Sequence, residues 1–423
     1  MRIAIVGSGI SGNVVARRLH REHDIAVFEA DGRAGGHTHT HAIELGGERH
    51  QIDTGFIVFN DWTYPAFVAL LEELRVESQA SAMSFSVRNE ASGLEYNGTS
   101  LDGLFAQRRN LLRPSFHRML LDILRFNREA TRLLEAAADT SLGEYLAAGR
   151  YSRGFVNDYL VPMGAAIWST DPQRMLGFPA RFFVRFFHNH GMLSVGDRPQ
   201  WRVVRGGSAR YVEPLVAPFR DRVRLATPVE SVRRIPGAVL VKARGLEAER
   251  FDRVFFACHG DQALRLLADP TPLEREVLGA FRFQENEAVL HTDASLLPRS
   301  RRAWAAWNYH VLREPGERVA LTYNMNILQS LAARETFCVT LNRTARIRPE
   351  RILRRITYRH PLFTPSAVAA QQRQQELNGA HRAYFCGTYW RFGFHEDGVV
   401  SALAALRHFE DTAHAQRDLS RVA

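Results

Sequence analysis

The sequence predicts an α/β protein in which a Rossmann-type dinucleotide-binding unit at the start of the chain is joined to a second lobe. Two observations carry this prediction. An apolar strand, a glycine triplet, a helix, a second strand and an acid follow one another between Met1 and Glu29. The chain has 423 residues, of which 45% are hydrophobic, so it can bury two sizeable cores as two domains or two interleaved lobes.

The glycine triplet stands where a dinucleotide-binding strand meets its helix. Strand Ile3–Val6 leads into Gly7, Gly9 and Gly12, and the second strand ends at Glu29. Gly7 permits the tight turn, Gly9 lets a pyrophosphate approach the backbone, and Gly12 lets helix and strand pack closely. The helix N-terminus offers free N–H groups to phosphate, and Glu29 is expected to accept hydrogen bonds from the adenosine ribose. This fingerprint alone does not separate NAD from FAD.

A second glycine-rich segment directly after the acid makes that distinction. The run Asp31-Gly32-Arg33-Ala34-Gly35-Gly36-His37-Thr38 resembles the second glycine motif of the amine oxidase and phytoene desaturase flavoprotein superfamily. In that superfamily an arginine, matched here by Arg33, neutralises phosphate charge, whereas His37 replaces the second arginine of most members. The resemblance implies FAD. Because the cysteine-bearing segment used for covalent attachment in the mitochondrial monoamine oxidases is missing, we expect non-covalent binding.

Two further segments extend the resemblance. Arg205-Gly206-Gly207-Ser208, followed by Val229-Glu230-Ser231-Val232, is similar to the return to the flavin domain, where the valine backbone meets adenine. Ala383–Thr388 and Glu396–Val400 resemble the C-terminal flavin motif, in which a helix N-terminus stabilises negative charge on the pyrimidine ring. The residues that the resemblance assigns to FAD are Gly7, Gly9, Ile10, Ser11, Gly12, Glu29, Ala30, Arg33, Gly35, Gly36, His37, Thr38, Gly55, Phe56, Val229, Gly387, Asp397, Gly398 and Val399.

The same motifs divide the chain into two interleaved domains. We expect a discontinuous FAD-binding domain from residues 1–80, 203–285 and 376–423. Residues 81–202 and 286–375 are expected to form the substrate domain, with a mixed sheet over the flavin and helices at the entrance. The expected fold class is therefore α/β, a Rossmann-type FAD-binding domain interleaved with an α+β substrate domain.

At finer scale the chain resembles one bacterial subfamily of FAD-binding proteins, which includes the flavin-dependent desaturase of furan fatty acid biosynthesis. The matching segments are 36–40, 53–60, 161–169 and 197–201. This resemblance implies desaturation of a methyl-branched, monounsaturated fatty acyl chain by hydride transfer to flavin N5. Amine oxidation and double-bond isomerisation remain alternatives, as does a pure FAD-binding scaffold. Amine oxidation ranks lower because the only lysine, Lys242, is expected on the adenine side, far from N5.

Histidines and aromatics supply the catalytic candidates. His37, His39 and His41 alternate and would share one face of a strand. Ligands two apart on one strand rarely converge on an ion, and no acid or cysteine cluster accompanies them, so no metal site is predicted. His39 is the candidate for proton handling. In the aromatic loop before the last helix, Trp390 and His395 are the further catalytic candidates. The alternative there is core packing of the loop, whose other aromatics are Phe392 and Phe394.

The charge balance points to an anionic partner. The chain has 55 basic and 45 acidic residues, a formal charge of +10, and no nucleic-acid-binding signature. The segment Phe105–Ala137 interleaves arginines with leucines and suits a basic amphipathic helix on an anionic bilayer, or else an ordinary solvated helix. A second basic run, Arg343–Arg359, suits a solvated face. We expect a lipid or fatty acyl substrate, peripheral contact with an anionic membrane and no nucleic acid.

The N-terminal residues, the lengths of the apolar runs and the cysteines indicate the cellular compartment of the protein. The first residues are too short for a signal peptide, and no run approaches the roughly 18 apolar residues of a spanning helix. Cys258, Cys338 and Cys386 are few and widely spaced, so we expect buried, inert thiols in a reducing compartment. We therefore predict a cytoplasmic protein that contacts the inner face of the membrane peripherally.

Overall fold

The computed structural model describes residues 1–135, 140–194, 196–314 and 318–422, with side chains up to residue 412. Its strands are β1 Arg2–Val6, β2 Asp24–Phe28, β3 Thr40–Leu45, β4 Glu48–Asp53, β5 Phe59–Asn60, β6 Ser78–Ala80, β7 Phe85–Asn89, β8 Glu95–Asn97, β9 Trp201–Val204, β10 Val223–Arg224, β11 Val229–Ile235, β12 Ala238–Ala243, β13 Glu249–Phe251, β14 Arg253–Phe256, β15 Arg282–His291, β16 Trp307–Val311, β17 Leu321–Asn324, β18 Cys338–Leu341, β19 Ile352–Leu362 and β20 Ala383–Phe385.

The helices alternate with these strands and are joined by short 3₁₀ turns. They are α1 Ile10–Leu19, α2 Pro65–Glu73, α3 Leu101–Leu104, α4 Pro114–Glu129, α5 Leu142–Ala148, α6 Arg153–Phe155, α7 Val161–Trp168, α8 Pro172–Met175, α9 Ala180–Asn189, α10 Ala209–Val216, α11 Gly260–Leu266, α12 Pro272–Gly279, α13 Met325–Leu328, α14 Pro365–Ala370, α15 Gln374–Leu377 and α16 His395–Val422. No helix of the described residues is long and apolar enough to cross a membrane.

A five-stranded parallel sheet, in the order β10-β2-β1-β14-β20, forms the nucleotide-binding layer. Its inner strand β1 is almost completely buried, as a parallel sheet covered on both faces requires. Helix α1 packs close to this sheet because Gly12 has no side chain: a Cβ there would lie 1.9 Å from the carbonyl oxygen of Gly7. The predicted order of strand, triplet, helix, strand and acid is confirmed.

A seven-stranded sheet, in the order β19-β15-β18-β17-β16-β7-β8, forms the second layer. It is mixed, since β16 and β7 run parallel and the other neighbours are antiparallel. A large apolar core fills the space between this sheet and helices α4 to α9. The structure confirms the α/β class with a second mixed-sheet layer, which the sequence predicts.

Asp53 ties together three distant parts of the chain. The buried carboxylate at the end of β4 accepts hydrogen bonds from the backbone and hydroxyl of Ser208, at 2.9 and 2.8 Å. It also accepts one from the side chain of Gln329, at 3.1 Å, and the Gln329 amide oxygen accepts the backbone N–H of Asp53. The glycine turn before α10 is thereby fixed against both β4 and the helix α13 region.

Candidate functional site

One cavity of about 1150 Å³ runs between the two sheets. That volume exceeds the 300–1,000 Å³ typical of single-ligand pockets. Its wall combines the turn before α1, the glycine segment after β2, the loop after β14, strand β19 and the loop after β20. These segments come from both ends and the middle of the chain, which are the regions that carry the flavin-binding motifs in the sequence.

The nucleotide end of the cavity is built on Gly9 and Glu29. Gly9 lines the cavity, and a Cβ added to it would meet no atom within 4 Å, so open space lies beside the N-terminus of α1. The Glu29 carboxylate accepts hydrogen bonds from the backbone and hydroxyl of Ser8, at 2.8 and 2.7 Å, and from the backbone of Asp31 at 2.9 Å. A carboxylate accepts about four such bonds, which leaves capacity for a ribose hydroxyl.

Most residues assigned to the cofactor lie in the wall of this cavity. They are Gly7, Gly9, Ile10, Ser11, Glu29, Ala30, Arg33, Gly35, Gly36, His37, Gly55, Phe56, Val229 and Gly387. The other five, Gly12, Thr38, Asp397, Gly398 and Val399, lie outside that wall. Gly398, for example, packs against α1, because a Cβ there would lie 2.6 Å from Cγ2 of Ile10. Thr38 bonds to a tyrosine described below, and Val399 belongs to the core around α1.

Arg33 and His37 differ in what they offer the cavity. The guanidinium of Arg33 donates to the carbonyl oxygens of Gly36 and Thr38, at 2.7 and 2.8 Å, and so braces the glycine turn. Arginine has five N–H donors, so Arg33 keeps donors for a phosphate. The His37 ring is buried beside Tyr358, at 5.1 Å between ring centroids, and its Nε2 has no partner among the described residues. Burial lowers the pKa of His37.

Strand β19 supplies a polar cluster that the motif analysis missed. Ile356, Tyr358 and His360 all line the cavity. His360 Nδ1 lies 2.9 Å from the Asn286 amide nitrogen, and burial lowers the pKa of His360 to about 3, so its ring is neutral and accepts this bond. In the sequence, Ile356, Tyr358 and His360 stand at every second position, which is the pattern of residues that share one face of a strand. The strand also carries charged residues on its other face, among them the exposed Arg355, and this basic run predicts a solvated face.

His39 belongs to a chain of polar contacts that leads away from the cavity. Its Nδ1 lies 3.4 Å from the hydroxyl of Tyr358, which is 2.8 Å from the Thr54 hydroxyl. Thr54 in turn lies 3.1 Å from Nε2 of the half-buried His41. Only His41 of the three alternating histidines lies on β3, but the ring centroids of His39 and His41 are 4.0 Å apart, so these two share one side as predicted. His37 precedes the strand and packs on Tyr358 instead. No group of metal ligands occurs in the described parts of the chain.

His395 lines the cavity at the N-terminus of α16. Its ring stacks on Phe56 at 3.7 Å between centroids, and its Nε2 lies 2.6 Å from the Tyr211 hydroxyl. Tyr211 also lies 2.6 Å from the Thr38 hydroxyl. Burial lowers the pKa of His395 to about 3, so the ring is neutral. The neutral ring carries one hydrogen: either Tyr211 donates to Nε2, which places that hydrogen on Nδ1, or Nε2 donates to Tyr211.

The end of the cavity away from the nucleotide is apolar and aromatic. Its wall contains Ile57, Val58, Ile167, Trp168, Trp307, Tyr323, Ile356, Phe363, Phe392 and Phe394. Among the described residues that line the whole cavity, the only acids are Glu29 and Asp31, which lie at the nucleotide end. Lys242 lies on β12 in a separate three-stranded sheet, donates to the carbonyl of Leu246 and does not line the cavity.

Trp390 is corrected by the structure. Its indole is buried in the core with Phe281, at 5.0 Å between ring centroids, and it is not in the cavity wall. The loop turns at Arg391, so Phe392 and Phe394 enter the wall and Trp390 packs behind it. The geometry gives Trp390 a packing role and leaves Phe392 and Phe394 as the aromatic candidates.

The three thiols are unpaired by disulfides. Cys338 and Cys386 are buried, and burial raises the pKa of both. Cys258 lines the nucleotide end of the cavity, and burial raises its pKa to about 12. A thiol needs its thiolate form to act as a nucleophile, so all three are unreactive near neutral pH.

Comparison with known proteins agrees with this site. A model of the family of flavin containing amine oxidoreductases matches residues 10–288. Compared with curated proteins, the chain matches none. Among solved structures, cyclohexylamine oxidase from Brevibacterium oxydans IH-35A superposes with a TM-score of 0.71 at 15% identity, covering 97% of this chain and 99% of that one. The CLA-producing fatty acid isomerase from P. acnes gives 0.67 at 15% identity, covering 96% and 98%.

The fold and site therefore define a flavin-containing oxidoreductase. The chain belongs to the flavin containing amine oxidoreductase family, whose model covers more than half of its length. The residues present fit a flavin: open space at Gly9, remaining acceptor capacity on Glu29 and an unpartnered buried nitrogen on His37 all lie in one cavity.

Proposed function

We propose that this protein is an FAD-dependent oxidoreductase that desaturates a fatty acyl chain. FAD is chosen over the mononucleotide because the glycine triplet and Glu29 form the binding end for an adenosine and a pyrophosphate. The cofactor is held without a covalent bond, since the one cysteine in the cavity wall, Cys258, lies at the nucleotide end. The finer choice of a methyl-branched, monounsaturated chain rests on the sequence resemblance.

The apolar wall at the far end of the cavity carries this proposal. An acyl chain gains about 0.8 kcal/mol for each methylene that leaves water, and the wall of Ile167, Trp307 and Ile356 offers it a continuous apolar surface. A cationic amine would need a carboxylate or a cluster of polar acceptors there, and no acid of the described chain lines that end. The wall therefore favours an apolar substrate over an amine.

The proposed reaction removes a hydride and a proton from adjacent positions of the chain and leaves one new double bond. FAD held at the Gly9 turn and Glu29 would supply the two-electron acceptor for that hydride. The protein must accept the proton. His39 is placed for this role because it lines the cavity, and its ring is unprotonated near neutral pH since burial lowers its pKa to about 4. The contacts through Tyr358 and Thr54 to His41 then offer the proton a way out of the cavity.

The neutral His395 has a different role. It sits at the start of α16, where the resemblance places the flavin pyrimidine ring. The helix N-terminus there favours negative charge nearby. Phe392 and Phe394 close the wall between this helix and the apolar end, so they orient the chain and exclude water.

The test is anaerobic reduction of the bound flavin, followed by its absorbance. Methyl-branched, monounsaturated acyl chains should bleach the flavin and yield a diene by mass spectrometry, while saturated chains should not. Ile356→Glu should abolish bleaching and leave the flavin bound, because it places a charge in the apolar wall. Bleaching by primary amines or polyamines alone would establish amine oxidation instead. A shifted double bond without net bleaching would establish isomerisation.

A further inference from the structure

Exposed leucines are concentrated in one segment of the chain. The described residues include ten strongly exposed large hydrophobic side chains, and five of them lie between residues 101 and 124. They are Leu101, Leu111, Leu112, Leu121 and Leu124, and Leu112 is the most exposed, at 87%. Isolated exposed leucines are ordinary on a protein surface, whereas a cluster marks an interaction site.

Four of these leucines lie on helix α4 and on the turn just before it; we call Leu111, Leu112, Leu121 and Leu124 the leucine face. Helix α4 buries Phe116, Met119 and Phe126 on its inner side. Leu121 and Leu124 lie on the opposite side, as the helical period of 3.6 residues requires. His117 lies between Leu121 and the preceding turn, because its Nε2 is 2.9 Å from the carbonyl oxygen of Leu111. The face therefore runs from the turn along the helix.

Arginines surround the leucine face. Arg113 and Arg132 have no ion pair within the described ranges of the chain, and Arg128 is exposed and paired only with its neighbour Glu129. Two other arginines serve the fold itself. Arg118 and Arg125 both pair with the buried Asp122, at 3.3 and 3.1 Å, and Arg125 also stacks on Tyr151. Residues 136 and 137 of the basic segment lie outside the described residues.

We propose that the leucine face docks on an anionic phospholipid bilayer. Leucines on the outer side of an amphipathic helix, ringed by arginines, match the composition of helices that lie in the membrane interface. Arginine charge complements anionic headgroups, and the leucines enter the acyl boundary beneath them. A soluble protein partner would need a surface complementary in shape to a convex helix and in charge to the unpaired arginines at its edge. An anionic bilayer provides the complementary charge and needs no complementary shape.

This proposal goes beyond the reaction and does not depend on it. Vesicles of saturated phosphatidylglycerol and phosphatidylcholine, in the fluid phase, contain no chain that the enzyme can desaturate. Flotation of the flavin-loaded protein with such vesicles therefore measures docking alone. Binding should require phosphatidylglycerol and weaken as salt screens the arginines.

The leucines are tested by Leu112→Glu combined with Leu121→Glu. This variant should lose vesicle binding by more than tenfold and keep its flavin spectrum, because both side chains are already exposed. The matched control is Leu225→Glu combined with Leu246→Glu, which makes the same charge change at leucines that are 42% and 43% exposed elsewhere. Equal loss in both variants, or no loss in either, would overturn the proposal.

The arginines are tested by Arg113→Gln combined with Arg132→Gln. Each arginine near an anionic surface is expected to contribute about fivefold in affinity, so binding should weaken roughly 25-fold. The control Arg21→Gln with Arg250→Gln removes two exposed arginines elsewhere and should change binding by less than about twofold. The opposite outcome is a protein that does not bind vesicles and forms a dimer. If Leu112→Glu combined with Leu121→Glu dissociated that dimer, the leucine face would be covered by a second copy of the chain and not by a bilayer.

Discussion

The Tyr211 hydroxyl oxygen lies 2.6 Å from Nε2 of His395, although the two residues are 184 positions apart. Tyr211 comes from α10, which begins just after the glycine turn held by Asp53, and His395 begins α16. The same hydroxyl lies 2.6 Å from Thr38 in the second glycine motif. One side chain thus joins three motifs that the sequence presents separately, and it holds the His395 ring in position.

Tyr211→Phe is expected to destabilise the protein by about 1–3 kcal/mol, because it leaves a buried hydroxyl and a buried imidazole nitrogen without partners. Urea unfolding of the flavin-free protein measures this cost. Thr38→Val combined with Tyr211→Phe should cost less than the sum of the two single changes, since both remove members of one contact. Strictly additive costs would show that the two hydroxyls act independently.

Two glycines of the triplet should respond differently to substitution. Gly9→Trp should keep the fold and abolish flavin binding, because the new side chain would occupy open cavity beside the helix N-terminus. Gly12→Ala should instead destabilise the fold, since its Cβ would lie 1.9 Å from the Gly7 carbonyl oxygen. Flavin absorbance and thermal unfolding distinguish the two effects. A folded Gly9→Trp protein that retains flavin would contradict the placement of the pyrophosphate.

The nucleotide end was predictable because its signals are local. The turn at Gly7, the helix after it and the acid at Glu29 follow one another within one β-α-β unit, so spacing alone places them. The C-terminal loop was predicted less well. Its aromatic residues are adjacent in sequence, but the turn at Arg391 sends Trp390 into the core and Phe394 into the cavity wall. The hydrophobicity of these residues does not determine which of them packs in the core and which lines the cavity.

The substrate end was not predictable residue by residue because it depends on pairing between distant strands. Tyr358 reaches the cavity only because β19 pairs with β15, where it stands opposite Asn286. The contact between Tyr358 and His39 then joins residues 319 positions apart. His39 itself is predicted from its expected proximity to the flavin, and its polar contacts to His41 emerge only from the folded arrangement.

Lys242→Met should leave turnover within about twofold of the unchanged protein. The lysine belongs to the three-stranded sheet, its ammonium group is engaged by the Leu246 carbonyl, and it is not part of the cavity wall. His39→Gln provides the comparison, since it should lower turnover and leave flavin binding intact. A loss of more than about tenfold in Lys242→Met, roughly 1.4 kcal/mol of barrier, would restore a lysine to the chemistry and favour amine oxidation.

The last prediction concerns acid sensitivity and the buried His291. Its Nδ1 accepts the backbone N–H of Asp293 at 3.0 Å, so its Nε2 carries the hydrogen and donates to the Thr340 hydroxyl at 2.7 Å. A second ring proton would have to displace the Asp293 N–H. Burial lowers the pKa of His291 to about 4, against about 6.5 in the unfolded chain.

The sign of the effect follows from these two values. Between pH 6.5 and 4 the unfolded chain binds a proton at His291 that the folded protein does not, so the free energy of unfolding falls as the pH falls. The stability that depends on a neutral His291 is fully present above pH 6.5 and is lost progressively as the pH falls towards 4. The total loss in the free energy of unfolding is at most about 3 kcal/mol. His291→Gln should therefore lower the slope of unfolding free energy against pH by about one proton in this window, measured by urea unfolding from pH 7 to 4. If the substitution only removed packing or hydrogen bonds, the free energy of unfolding would fall equally at every pH and its slope against pH would not change. That outcome would contradict a neutral His291 in the folded protein.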